Sequence, residues 1–317
     1  MSAYGMKGHL GISFQNSFGT ANVESFHYIP FISESFVETK PQLIDDSNYG
    51  RFDQEEAYEG LNEISGEVVF YPNADEIGIP LIAWLGDKTS PTSITNGQFY
   101  ELMPEASDFD AKAATIPMTV EVYRDVGSSF QYYDMCCNQI TIEVAAGEIV
   151  KVTMGMVGGN YSKMATTTPS FSSTAKSFLW DTTSLSIDGS GADDVTGLTI
   201  TFNNNLEAVG VLNSTKLPGR IRRTGKRTIE VSGTILYEND TNLDIARSYD
   251  TIEMITTFTE NTSNELEIIM PSFKFSEYPI NIGGTGAIEI SFAGACSYNV
   301  GSLTALDISL TNAITGY

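Results

Sequence analysis

Apolar and polar residues alternate at every second position in many short runs of this 317-residue chain, and clusters of Gly, Asn, Asp and Ser separate those runs. The runs are rich in Val, Ile, Thr, Tyr and Phe, so the chain reads as mainly β. In the first half the alternation predicts strands over 27–37, 65–71, 98–103, 116–123, 129–135, 139–145 and 149–156. In the second half it predicts 178–187, 196–203, 228–238, 264–277, 286–293 and 303–311.

Two segments follow a three-and-four spacing instead. Leu81, Ile82, Trp84 and Leu85 give an apolar face to a helix over 75–85, with Asp75 and Glu76 near its positive start and Gly86 as its stop. Leu243, Ile245, Tyr249, Ile252, Ile255 and Phe258 predict a second helix over 242–258, capped by Thr241 or Asn242.

These elements recur in the same order. A hydroxyl-rich strand (Phe31–Val37, then Leu198–Phe202) leads into a long charged loop, a Ser-Gly strand (Ser65-Gly66, then Ser232-Gly233) and a helix. The two Ser-Gly pairs lie 167 residues apart, a domain's length, which points to a duplicated domain. Ser162–Ser177 has the Ser/Thr-rich composition of a linker. The expectation is two tandem β-sandwich domains, residues 1–165 and 166–317, each with one flanking α-helix.

The two equivalent loops differ in charge. Residues 41–64 carry Asp45, Asp46, Asp53, Glu55, Glu56, Glu59 and Glu63 against Arg51 alone. Residues 216–227 carry Lys216, Arg220, Arg222, Arg223, Lys226 and Arg227 with no acid. Such divergence makes sense if loops of the two kinds meet when chains assemble, so all of these residues except Glu63 and Arg51 are candidate inter-subunit contacts.

Net charge is −23, which argues against binding of free nucleic acid. No run approaches the roughly 18 apolar residues of a membrane span, and the first residues lack the apolar core of a secretory signal, so synthesis in a cytoplasm is expected. The three cysteines form no disulfide framework, and His9 and His27 are too few for a zinc site. Gly155–Gly159 and Gly283–Gly286 lack what a phosphate loop needs and read as turns. Asp188–Asp194 begins like a calcium loop but has Thr199 at the twelfth position. With no nucleophile elbow and no Cys/His pairing, neither an enzyme nor a cofactor is expected.

Several segments together resemble the tail tube proteins of long-tailed bacteriophages. They are Gly11–Phe14, Phe18–Ala21, Phe31–Phe36, Ser65–Phe70, Ile77–Gly86, Gln139–Glu143, Ser184–Ile187 and Arg227–Ile235. The resemblance covers most of the chain through diffuse pattern. It implies tail-tube-like β-sandwich domains whose subunits close into a hexagonal ring around a DNA-wide channel, with rings stacked into a tube of the virion. It also implies a non-enzymatic protein whose partners are itself, the tape-measure protein and tail terminator or baseplate proteins. Double-stranded DNA would pass without specific binding and no membrane would be involved. A duplicated chain would need three copies to form the ring as a pseudo-hexamer.

In that setting acidic strands facing the channel would repel a sliding phosphate backbone over the Debye length, about 8 Å at physiological salt. The lumen candidates are Glu67, Glu121, Glu143, Glu148, Glu230, Glu265, Glu267 and Glu289. An alternative reading is a carbohydrate-binding or adhesive double sandwich, which would present Tyr132, Tyr133 and Trp180 as an exposed aromatic platform. A capsid decoration protein is a third.

Overall fold

The computed structural model describes residues 4–86, 90–171, 173–280 and 286–317. The turn expected at Gly283–Gly286 lies largely outside the described residues. The first half runs β1 (His9–Phe14), β2 (His27–Tyr28), β3 (Ser33–Glu34), β4 (Val37–Thr39), β5 (Gln42–Leu43), β6 (Tyr58–Glu59), β7 (Glu63–Phe70) and α1 (Gly78–Leu85). It continues with β8 (Thr92–Ile94), β9 (Gly97–Leu102), β10 (Met118–Tyr123), β11 (Ser129–Ala145), β12 (Lys151–Gly158) and β13 (Asn160–Met164).

The second half runs β14 (Thr183–Ile187), β15 (Ser190–Gly191), β16 (Val195–Asn203), β17 (Leu206–Val209), β18 (Arg220–Arg223), β19 (Thr228–Leu236) and α2 (Thr241–Ser248). It ends with β20 (Ile252–Asn261), β21 (Asn264–Glu277), β22 (Glu289–Cys296) and β23 (Asp307–Asn312). The protein is mainly β, of sandwich type, with α1 and α2 as its two α-helices among the described residues.

Alternation explains many of the longer strands directly. Along β12, half-buried and buried residues alternate at every position, which turns Val152, Met154 and Met156 inward. The helix expected over 242–258 stops at Ser248. From Ile252 onward, Ile252, Met254, Thr256 and Phe258 are buried at every second position, as β20 requires. Thr251–Thr259 is dense in β-branched residues, and period two won over the looser three-and-four match.

Helix α1 also departs from expectation. All eight of its residues are buried, so it is apolar all round and sits inside the protein. No residue of α2 is fully buried, and that helix lies on the surface.

Strand pairing repeats. In the first half, antiparallel pairs run in the order β4, β7, β12, β11, β10, β1. In the second, the order is β16, β19, β22, β21, β20, β14, again antiparallel throughout. β13 lies against the first part of β11, and β23 lies correspondingly against the first part of β21.

Both Ser-Gly pairs fall on equivalent strands, β7 and β19, and both glycines allow a close approach. A Cβ on Gly66 would lie 2.6 Å from Cα of Phe36, and one on Gly233 would lie 2.6 Å from the carbonyl oxygen of Gly197. Phe36 belongs to the hydroxyl-rich segment that precedes the first loop, and Gly197 immediately precedes its counterpart, Leu198–Phe202.

The halves are joined edge to edge. β11 is a single strand of 17 residues, where the alternation predicted two, because its register shifts between Cys137 and Gln139. Past that shift, residues 139–145 pair with residues 197–203 of β16. β23 in turn pairs with β9, so that 19 strands form one hydrogen-bonded network.

The main buried cluster likewise runs through both halves. Trp84 of α1 packs on Phe202 of β16, ring centroids 5.3 Å apart, and Asn204 Nδ2 donates to the Trp84 carbonyl at 2.8 Å. The Ser/Thr-rich stretch is tied down: Thr167 N donates to Glu121 at 3.1 Å, and Ser173 Oγ donates to Asp75 at 2.8 Å.

Candidate assembly interface

One face of the joined sheet is polar across six strands. The register β7–β12–β11–β16–β19–β22 places Ser65 and Glu67, Lys151 and Thr153, Thr141 and Glu143, Thr199 and Thr201, Glu230 and Ser232, and Glu289 and Ser291 on the same side. The opposite side carries Val68, Met154, Ile142, Ile200, Val231 and Ile290, all buried. Strand alternation alone produces this division. The result is a broad surface of hydroxyls with a few charges.

Four lumen candidates, Glu67, Glu143, Glu230 and Glu289, share that face. Glu143 is paired with Lys151 at 2.7 Å across the β11–β12 ladder. Glu148 is exposed in the turn between β11 and β12, at the edge of the face. Glu265 and Glu267 lie elsewhere, on the part of β21 flanked by β20 and β23. Burial raises the Glu267 carboxyl above its usual range, and Glu265, Asp307 and Glu253 add to the rise.

Glu121 is a correction. It is wholly buried, and its carboxylate accepts from Thr167 N and Thr167 Oγ1 and lies 3.5 Å from His9 Nε2. A carboxylate enclosed in this way presents no charge to a channel; it anchors the segment between the halves.

The charged loops meet inside the chain. Lys216 Nζ lies 2.7 Å from Glu59 and Lys40 lies 3.4 Å from it, and these two cations hold the Glu59 carboxyl below its usual range. Asn62 N donates to the Lys216 carbonyl at 2.7 Å. The second loop's hairpin, β17–β18, rests on the first half. Ile221 exchanges backbone hydrogen bonds with Lys112 and Ala114 at 2.8 and 3.0 Å, and Leu206 N donates to Asn138 Oδ1 at 2.7 Å. Ala113, Ala114, Cys136, Leu206 and Ile221 make a small apolar cluster beneath it.

The other basic residues divide between fold and surface. Arg223 pairs with Asp108, and burial lowers its pKa. Arg227 donates to the Glu105 carbonyl, and its guanidinium carbon lies 6.0 Å from the Trp84 ring centroid; burial, then the neighbouring Arg223, brings it down to about 10. Both hold the loop to the body of the protein. Arg222 and Lys226 are exposed and Arg220 is half-buried.

In the acidic loop, Asp45 accepts from Ser47 N at 2.9 Å and Tyr49 OH at 2.7 Å, which holds its carboxyl below the usual range. Glu55 pairs with Arg51, while Asp46, Asp53 and Glu56 are exposed. Leu43, Tyr49, Phe52 and Tyr58 are exposed in the same loop. These apolar side chains, and Leu212 in the second loop, escaped a reading of the sequence that followed charge. Their signal was one or two apolar residues set in an otherwise polar loop, alone at Tyr49 and Phe52 and paired at Leu43-Ile44 and Val211-Leu212.

The aromatic platform of the glycan-binding alternative does not form. Tyr132 is buried and stacks on Phe36, Tyr133 is half-buried, and only Trp180 of the three is exposed. Asp188–Asp194 makes the turn between β14 and β15 and the approach to β16, with Asp188 and Gly189 at positive φ.

A family model described as phage tail tube protein matches residues 5–296. The chain belongs to that family. It is a structural subunit of a phage tail tube and a component of the virion. A search of curated proteins finds no match. For a tail tube protein, the polar face and the open strand edges are the surfaces of interest.

Proposed function

We propose that three copies of this tail tube protein close into a ring of six similar units and that the face bearing Glu67, Glu143, Glu230 and Glu289 lines a channel through which double-stranded DNA passes. Each unit is one half of a duplicated chain, residues 1–165 or 166–317. The observation that carries this reading is the β11–β16 junction.

Phe273 pairs with Ile252 of β20 on one side and with Cys296 of β22 on the other. Beyond it, Lys274–Glu277 keep only β22, so the side that β20 covered has no strand partner among the described residues. On β11 the corresponding side is the one filled by β16. The counterpart of β16 in the first half is the β3–β4 segment, whose pairing among the described residues is to β7 alone. A neighbour's β3–β4 segment added beyond Phe273 would repeat between chains the junction that each chain already makes within itself. Three such additions close the ring and cover both of these open edges in every chain.

The lining suits passage without binding. Three chains carry a formal charge of −69, and the face offers neutral hydroxyls and spaced carboxylates. Repulsion acts over about 8 Å at physiological salt, which keeps a phosphate backbone off the wall. The tape-measure protein would occupy the same channel before DNA, and terminator and baseplate proteins would meet the ends of the tube.

The test is the mass of an isolated ring. Three chains of 34.5 kDa give about 104 kDa; a ring of six chains, about 207 kDa, would contradict the duplication reading.

A further inference from the structure

Strand register gives the joined sheet two distinct ends. Gln139 of β11 lies opposite Asn203, where the second loop begins, and the first loop enters β7 at the same end. At the other end Ala145 lies opposite Gly197, beside the β11–β12 turn. In a closed ring these ends become opposite rims.

Each rim carries one half of a complementary pair. On the loop rim Leu212 is 109% exposed, at the tip of the β17–β18 hairpin. Arg220 lies at the base of that tip, paired in register with Val209. On the other rim is a groove of about 250 Å³, with Val144, Trp180, Leu185 and Leu198 among its apolar walls and Asp181 and Asp193 as its acids. No basic residue lines it. Trp180 is 46% exposed, a large aromatic left open to solvent in this chain.

We infer that Leu212 of one ring seats in the Trp180 groove of the next ring, with Arg220 facing Asp181 and Asp193. The inference rests on the ring reading above. The occupant is a second copy of this chain, because tip and groove lie on opposite rims of the same molecule. Charge selects which tip enters. Phe52 is equally exposed, at 110%, but its loop has a net charge of −6 and the groove's carboxylates repel it. One tip and one groove per chain give three matched contacts between successive rings. Each contact is small, and three acting together supply the avidity that stacking needs.

The variant Leu212→Asp leaves folding untouched, since the side chain makes no intrachain contact that burial would reveal, and its thermal midpoint serves as the control. Ring mass is read by native mass spectrometry and tube length by negative-stain electron microscopy. The expected result is wild-type rings with tubes at least tenfold shorter, with the same loss for Trp180→Ala. Partial recovery of length is expected when Arg220→Asp is combined with Asp181→Arg and Asp193→Arg. Tubes of normal length from Leu212→Asp would overturn the inference, as would loss of the ring itself, which would place Leu212 inside the ring. Wild-type protein that forms no three-chain ring would instead refute the ring reading.

Discussion

Glu76 shows how far a residue can depart from what its position in the sequence promises. An acid just before a helix reads as a favourable electrostatic start, yet Glu76 is 8% exposed and sits beside Asp75. Burial pushes its carboxyl up to about 7, with Asp75 adding to the rise and a hydrogen bond involving Asn73 opposing it. The folded state therefore holds this proton more tightly than the unfolded chain does. The resulting stability is present in full below the unfolded value, near 4.5, and is lost as pH rises toward 7. A shift of that size corresponds to about 3 kcal/mol, less whatever the N-terminus of α1 returns to the anion. Glu76→Gln is expected to flatten the loss: denaturant unfolding should show a gain of roughly 1–3 kcal/mol at pH 8 and none at pH 4. Equal effects at both values would show that the carboxyl is solvated. Glu121 is a parallel case, since no sequence pattern could reveal that Thr167, 46 residues away, closes over it.

Among the elements, the Ser-Gly strands were legible because their glycines answer a local steric demand that both halves share. Replacing Gly66 or Gly233 by Ala drives a methyl against backbone, and each change is expected to cost about 1–3 kcal/mol in unfolding measurements. A large loss at one position and none at the other would break the equivalence of β7 and β19. The second helix was legible only in part. Its first two turns, Thr241–Ser248, follow the helical stripe, but Ile252 and Phe258 fit both periods and tertiary packing chose the strand. β1 and β13 went unread. In β1 all six residues are buried, so no polar alternation marks it, and β13 overlaps the start of the stretch from Ser162 whose composition looked like a linker.

For the whole molecule, loop charge pointed to a contact of the right kind and left its location open. Opposite charges in two loops predict that they meet; whether they meet within one chain or between chains depends on where the second hairpin lies, and the Glu59–Lys216 pair places one such meeting inside the chain. The polar face was legible strand by strand from alternation, but its continuity across both halves depends on the β11–β16 pairing, which no local pattern encodes. That pairing also merges the cores. The halves share one sheet and one buried cluster while repeating one strand order, the arrangement expected if ring neighbours became covalently linked.

The most direct test of that account is a cryo-electron microscopy reconstruction of the assembled tube, with symmetry determined from the images. The account predicts three-fold rings with near six-fold shape, β3–β4 of one chain continuing the sheet beyond Phe273 of the next, and Glu67, Glu143, Glu230 and Glu289 facing the bore. Six full chains per ring, or a bore lined by the opposite face of the sheet, would contradict it.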